Sequence, residues 1–431
     1  MVVQNGYFEE ELLHKTPCYC TSCVTEAIQF DLLMQVHRNK LPEGLRPELE
    51  LLLVCARTQI DGEGARRAKE LSDQSLDWDY LVKTAWSHGL LPLLYTNLKA
   101  TGANVPQDYL ERLRDLFQKN AARSSLLTGE LHKILELFES EEILAMPYKG
   151  PAIAISIYGN LALRQFGDLD ILVRSQDVWR CQQLLISMGY QPHFDITQRQ
   201  LPAFLKLGYV QMFTRDNGMS IVELHWGIAS RFFMFPLNVD RFLGRLVPMD
   251  LMGKKVLAPA PDDLLLILCV HGAKDLWERL EWICGIAELV QAHNINWEIV
   301  RQQAKELGAE RTLFLGLQLA SEIFDARLPE SVVNHIASQP VIGVLAAQVS
   351  QNLLAGTPSP GLRKKILFHI RTKERLVDRL RYCLRLLFTT TPVDWQSLPL
   401  PASLSFLYPL IRPFRLAKKY TVDQSKSLFC S

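Results

Sequence analysis

Two acidic residues, Asp168 and Asp170, stand two apart in the run DLDILV of residues 168–173. The run follows Gly167 and is rich in Leu, Ile and Val, so it reads as a strand, on which side chains two apart share one face. Leu169 and Ile171 then point into a core. Neighbouring carboxylates repel and raise each other's pKa unless a cation lies between them. Mg²⁺ (or Mn²⁺) suits such a pair, because it combines a few carboxylate oxygens with substrate phosphates.

A third carboxylate lies on the next run with strand alternation, SIVELHW, where Glu223 and His225 share one face and Val222 and Leu224 the other. If that strand neighbours DLDILV, Glu223 completes a three-carboxylate site. Such a trio can hold metal that grips a triphosphate and lowers the pKa of an attacking hydroxyl. Upstream, Lys149-Gly150-Pro151 marks a turn into a helix, with Gly150 permitting close backbone approach and Pro151 fitting the first helical position. A helix start offers free N–H groups to phosphate, Lys149 a point charge, and Arg164 a fork for phosphate oxygens. His225 beside Glu223 could orient substrate or act as a base, or be a hydrogen-bonded structural histidine. His271, Lys274 and Glu278 fall on one helical stripe and either line the cleft or form a solvated face.

These residues must be positioned by a chain of 431 residues, long enough for two or three structural units. It is 48% hydrophobic and 22% charged, with a formal net charge of +1, so no long-range field marks it as an obligate nucleic-acid binder. Residues 1–41 show weak periodicity and read as a poorly ordered extension. Residues 42–145 repeat apolar positions at helical spacing, with Asp77 placed as an N-cap and Gly102 just past a helix end. Between 146 and 260 the texture changes to short strand-like runs around one helix, WRCQQLLISMGY, and a hairpin turn at Asp216-Asn217-Gly218. From 261 to 431 helices return, with Asp262 or Asp263 as a cap for the first. The fold class expected is α+β, a small sheet domain between two helical regions.

The start of the chain shows no basic segment followed by an apolar one, so no signal peptide is expected. The most apolar runs, 49–56 and 263–270, fall short of the roughly 20 residues that span a bilayer. The expected location is therefore cytoplasmic, with no transmembrane segment. Of nine cysteines, Cys55, Cys181, Cys269, Cys284 and Cys383 sit singly in apolar runs, as small buried hydrophobes do in a reducing compartment. Cys18, Cys20 and Cys23, with His14 nearby, could ligate zinc, but no second ligand pair follows at a defined distance. Residues 361–388 carry nine Lys/Arg against two Asp/Glu and read as one basic amphipathic helix, and 412–420 add four more basic residues. That face suits an anionic partner or is simply solvated.

Taken in order, the glycine turn, helix, D-x-D strand and later acidic strand resemble the nucleotidyltransferase superfamily that includes DNA polymerase beta. The resemblance is nearer to a bacterial family of uncharacterised nucleotidyltransferases. It rests on Lys149-Gly150, on Tyr158 with Arg164 ahead of Asp168-Leu169-Asp170-Ile171-Leu172-Val173, and on Glu223-Leu224-His225-Trp226. The flanking helices DWDYLVKTAWSHGLLPLLYTNL and CVHGAKDLWERLEWICGIAEL resemble that family's as well, and the likeness covers roughly residues 45–420. It implies a small mixed β-sheet nucleotidyltransferase core flanked by N- and C-terminal helical regions. It further implies Asp168, Asp170 and Glu223 as catalytic metal ligands. Lys149, Gly150, Arg164, His225, His271 and Lys274 would then lie around an NTP, with ATP the expected donor.

The chain departs from the pattern twice. Gly150-Pro151 replaces the superfamily's usual Gly-Ser or Gly-Gly, removing a hydroxyl and an N–H that often bind phosphate. Gly285 stands where an acidic residue is expected in the downstream helix, a change that concerns packing. The acceptor is open: a small molecule, a peptide, a protein or an RNA end. Two other readings stay open, a D-x-D glycosyltransferase and a nucleotide-binding module that kept the fold but not turnover.

Overall fold

The computed structural model describes residues 44–229, 233, 235, 238–354, 362–389, 398 and 407–415. The N-terminal extension with Cys18, Cys20 and Cys23, and most of the basic segment 412–420, lie outside the described residues.

Four helices open the described chain: α1 (Pro47–Cys55), α2 (Gly62–Ser72), α3 (Trp78–Ser87) and α4 (Leu91–Thr101). Asp77 caps α3 by accepting from the Tyr80 N–H, and Gly102 ends α4 in the left-handed conformation, as the sequence predicts. The 34-residue α5 (Gln107–Ser140) then leads to β1 (Ala145–Pro147). Next come α6 (Pro151–Tyr158), β2 (Leu169–Val173), α7 (Val178–Ser187), β3 (Gln191–Pro192), α8 (Leu201–Leu207), β4 (Val210–Arg215) and β5 (Ser220–His225).

These strands form one five-stranded sheet in the order β1-β2-β5-β4-β3. Only β2 and β5 are parallel; the other neighbours pair antiparallel. The β4–β5 hairpin turns at Asp216, Asn217 and Gly218, all at positive φ, which is why Asp, Asn and Gly occupy the turn. A short α9 (Val239–Leu243) and a separate hairpin of β6 (Val247–Leu251) and β7 (Lys254–Ala258) follow.

The helical C-terminal part holds α10 (Pro261–Lys274), α11 (Leu280–Ala292), α12 (Trp297–Glu306), α13 (Glu310–Phe324), α14 (Glu330–Ala337), α15 (Pro340–Leu354), α16 (Leu362–Thr372) and α17 (Leu376–Phe388). The architecture is thus α+β, a mixed sheet with helical regions at both ends. Among the described residues no single helix is long and apolar enough to cross a membrane, and α14 and α15, which reach that length only together, bend by 92° between them.

Two apolar clusters sandwich the sheet. One face sends Leu169, Ile171, Val173, Val222 and Leu224 against Leu127, Leu131, Ile134 and Phe138 of α5 and Val178, Cys181 and Leu185 of α7. The other cluster joins α1–α4 to α10, α11, α13 and α15 and takes in Leu172, Tyr148 and Met146 from the sheet side. Strand alternation therefore gives Asp170, Glu223 and His225 to the face opposite α5.

Three local expectations are corrected. The N-cap of α10 is Ala260, without a side-chain bond, because Pro261 starts the helix; Asp262 instead accepts from the Asn296 N–H at 2.9 Å and Asp263 from Arg245 at 2.7 Å. The stretch 361–388 is two helices, not one. At the break Lys373 is buried and donates to the Phe233 carbonyl, and the half-buried Glu374 carboxylate accepts from the Arg311 N–H, so both polar groups of the turn are tied to backbone elsewhere. Lys365 is buried too, while Leu376, Leu380 and Leu384 are exposed, so the surface of this segment is less basic and more apolar than its sequence suggests. Finally, α10 ends at Lys274 and the chain turns at Leu276 and Trp277, both at positive φ, which removes Glu278 from the stripe and leaves it near Lys365 at 3.6 Å.

Candidate active site

The register of one strand pair assembles the site. Asp170 on β2 is the Cα partner of Glu223 on β5, and Leu172 is the partner of His225, so three polar side chains share one small patch of sheet. Asp168 lies one residue before β2 and is buried. Beside the patch, the Tyr148 N–H donates to the Asp170 carbonyl at 3.4 Å. The chain then turns at Gly150, with φ 51° and ψ −121°, to start α6 at Pro151. A Cβ on Gly150 would stand 3.2 Å from the Asp168 carbonyl oxygen, so glycine lets the turn press against the carboxylate segment.

Asp170 Oδ1 accepts from Lys149 Nζ at 2.8 Å and lies 3.1 Å from His225 Nε2. The same nitrogen is 3.2 Å from Glu223 Oε2, and His225 Nδ1 is 3.0 Å from the Tyr148 hydroxyl. Burial works to raise the Asp170 carboxyl, but the Lys149 charge and the bonds from His225 and Lys149 overcome it and hold the carboxyl far below the usual range. Burial likewise opposes charge on His225, yet its bonds to Asp170 and Glu223 keep its pKa above the ordinary value. Lys149 shows the same balance: burial against charging, outweighed by Asp170 and Glu223. Burial, with Asp170 and Glu223 nearby, pushes the Tyr148 phenol well up, so it stays protonated.

A second row of groups comes from the end of α10. Lys274 Nζ is 3.2 Å from Asp275 Oδ2 and 3.5 Å from the Tyr209 hydroxyl, and the Tyr209 ring centroid is 6.0 Å from that of His225. His271 Nδ1 is 3.4 Å from the same Asp275 oxygen, and its ring meets Trp282 edge-on. Burial and the nearby charges of Lys149 and Lys274 depress His271 well below its normal pKa, leaving a neutral imidazole. Arg164 Nη1 reaches the Gly150 carbonyl at 3.5 Å. Lys149, Lys274, Arg164 and His271 therefore collect around the carboxylate patch.

Sequence reasoning did not single out Tyr148, Tyr209 or Asp275. Tyr148 and Asp275 are direct neighbours of Lys149 and Lys274, but only tertiary packing reveals that they bond to site residues. The remaining motif residue, Tyr158, is a packing element: buried, its hydroxyl lies 3.9 Å from Cys284 Sγ, with Gly285 alongside.

A family model described as Uncharacterised nucleotidyltransferase matches residues 74–325, from just before α3 to the end of α13. The chain belongs to this family. No curated protein matches it. The matched span contains the whole sheet, the Gly150 turn and the α10 residues, so this nucleotidyltransferase-family segment includes every group described above.

The donor chemistry of the patch fits a divalent ion. One ligand atom each from Asp170, Glu223 and His225 lies within 4.8 Å of the others, and Asp168 stands outside that group. The imidazole-to-carboxylate separations of 3.1 and 3.2 Å match neighbouring corners of an octahedron, about 3 Å apart for metal–ligand bonds near 2.1 Å.

Proposed function

We propose that the chain transfers a nucleoside monophosphate from an NTP, with ATP the expected donor, to a hydroxyl or other nucleophile. The acceptor oxygen forms a bond to the α-phosphorus, the α–β bridging bond breaks, and pyrophosphate leaves with that electron pair. The acceptor's proton passes to a carboxylate, Glu223 in this reading. The observation that carries the proposal is the parallel β2–β5 register, which sets Asp170 beside Glu223 within reach of Lys149.

Asp170 and Glu223, with Asp168 just ahead of β2, would hold Mg²⁺ or Mn²⁺, which when bound neutralises phosphate charge and acidifies the attacking hydroxyl. Lys149 and Lys274, both held charged by carboxylates, would bind the triphosphate, with Arg164 behind the Gly150 turn. Neutral His271 adds a hydrogen-bonding group on the α10 side without adding charge.

The first test is a thermal-shift screen against the four NTPs with and without Mg²⁺ or Mn²⁺, on the protein and on an Asp168→Asn/Asp170→Asn variant. Metal-dependent stabilisation by an NTP that the variant lacks supports the reading; no shift with any nucleotide refutes it. Pyrophosphate release then separates turnover from a second reading, a nucleotide-binding module without turnover. That reading is favoured by Pro151, which removes one N–H from the start of α6 where a phosphate would dock.

A further inference from the structure

His225 has two hydrogen-bonding sides, and each is committed. Nε2 points between Asp170 Oδ1 and Glu223 Oε2, while Nδ1 points at the Tyr148 hydroxyl, a fully buried group. All three donors lie within the paired register of two hydrogen-bonded parallel strands, Asp170 opposite Glu223 and His225 opposite Leu172 at the end of β5, so backbone pairing sets the spacing of their Cα atoms. An imidazole ligates through one nitrogen when a second group holds the proton on the other. Tyr148 is placed to hold it. Its oxygen can accept from Nδ1–H, so that an ion can take the place of the Nε2 proton that otherwise lies between the two carboxylates.

We propose that His225 is itself a metal ligand, that Tyr148 is its positioning residue, and that this mixed imidazole–dicarboxylate site selects a first-row transition ion such as Mn²⁺ over Mg²⁺. The inference rests on the metal site proposed above and adds to it the identity of a ligand and of the ion class. Mg²⁺ is a hard ion that prefers oxygen and gives up water reluctantly, whereas imidazole suits the later first-row ions best. Mn²⁺, the hardest of that row, is the probe that sets the mildest test of the preference. One nitrogen among the protein ligands therefore shifts the preference away from Mg²⁺. The bulky ring also takes a coordination position that Mg²⁺ ordinarily keeps for water. The rival arrangement gives His225 a purely structural role, as a proton donor that clamps two carboxylates and never touches an ion.

Pulsed EPR of Mn²⁺ added alone to the full chain, without nucleotide, separates the two. The expected result is a ¹⁴N coupling from a directly bound imidazole, present in the wild type and absent in His225→Gln, whose amide supplies oxygen in place of nitrogen. In parallel, competition binding should show Mn²⁺ held at least about tenfold more tightly than Mg²⁺. Tyr148→Phe, which keeps the ring and loses the hydroxyl, should weaken Mn²⁺ about tenfold and Mg²⁺ much less. Mn²⁺ bound in a way that Asp170→Asn abolishes, but with no nitrogen coupling, overturns the ligand assignment and leaves the carboxylate site standing. Absence of any saturable Mn²⁺ binding that depends on Asp170 overturns the metal site and the ligand assignment together.

Discussion

The ammonium of Lys149 lies 2.8 Å from Asp170 Oδ1, on a side chain only 3% exposed, and so occupies the position of a counter-cation for the carboxylates of β2 and β5. Removing one partner of a buried ion pair leaves the other charge uncompensated, which costs about 3 kcal/mol. Lys149→Met should therefore lower stability by about that amount in urea denaturation. Divalent metal without nucleotide should then stabilise the variant more than the wild type, because it supplies the missing charge. Equal metal-induced shifts in both proteins would show that Lys149 and the ion do not share a charge site.

Gly150 carries a second prediction. Its backbone, at φ 51° and ψ −121°, is one that residues with a Cβ rarely adopt, and that Cβ would meet the Asp168 carbonyl at 3.2 Å. Gly150→Ala should cost about 1–3 kcal/mol and displace the segment carrying Asp168, so NTP-dependent stabilisation should fall with it. A variant as stable as the wild type that still binds NTP would mean the turn relaxes freely.

Much of this site was legible in the sequence because strand alternation is strict. SIVELHW announced that Glu223 and His225 share a face and DLDILV that Leu169 and Ile171 enter the core, and the Asp216-Asn217-Gly218 turn announced the hairpin that returns β5 to the sheet. Asp168, by contrast, was expected beside Asp170 on the strand but lies just before β2 and outside the Asp170–Glu223–His225 group. The register between β2 and β5 was not legible, since residues 174–219 intervene and no local rule sets it. For the same reason the contacts of Tyr148 with His225 and of Tyr209 with Lys274 appear only in three dimensions. Periodicity also misled at 361–388, where apolar spacing runs on through the break. The buried Lys373 and the half-buried Glu374, each bonded to backbone of another segment, mark the break that the apolar pattern does not show.

The pH dependence of folding follows from His88, between α3 and α4. Its Nδ1 lies 3.3 Å from the Leu280 N–H and accepts from it. Burial, with Arg279 close by, lowers its pKa to about 4 from an unfolded value near 6.5. Because the folded pKa is the lower one, the unfolded chain binds the proton more tightly between these values. The contribution is intact above about pH 6.5 and is lost as pH falls towards 4, up to about 3 kcal/mol. His369, hydrogen-bonded to Tyr382 and the Lys274 carbonyl and depressed to about 3 by burial and Lys373, adds in the same direction. Urea midpoints measured from pH 7 to pH 4 should fall less steeply in His88→Gln, whose amide oxygen can still accept from Leu280. An unchanged slope would assign acid sensitivity elsewhere.

Gly285, where the family resemblance leads one to expect an acidic side chain, gives a prediction of opposite sign. It is buried within α11, and a Cβ there would make only an ordinary contact, 3.6 Å from the Tyr158 hydroxyl. Nothing in the backbone requires glycine at this position, and glycine inside a helix costs roughly 0.5–1 kcal/mol relative to alanine. Gly285→Ala should therefore raise stability by about that amount, whereas a carboxylate there would enter an apolar interface between α6 and α11 and destabilise it. If Ala destabilises instead, the Tyr158 ring is too tightly held to yield, and the close approach of α6 to α11 is what glycine preserves. Because α6 begins at the Gly150 turn, the measured sign also bears on how firmly the helix behind that turn is anchored to the C-terminal helices.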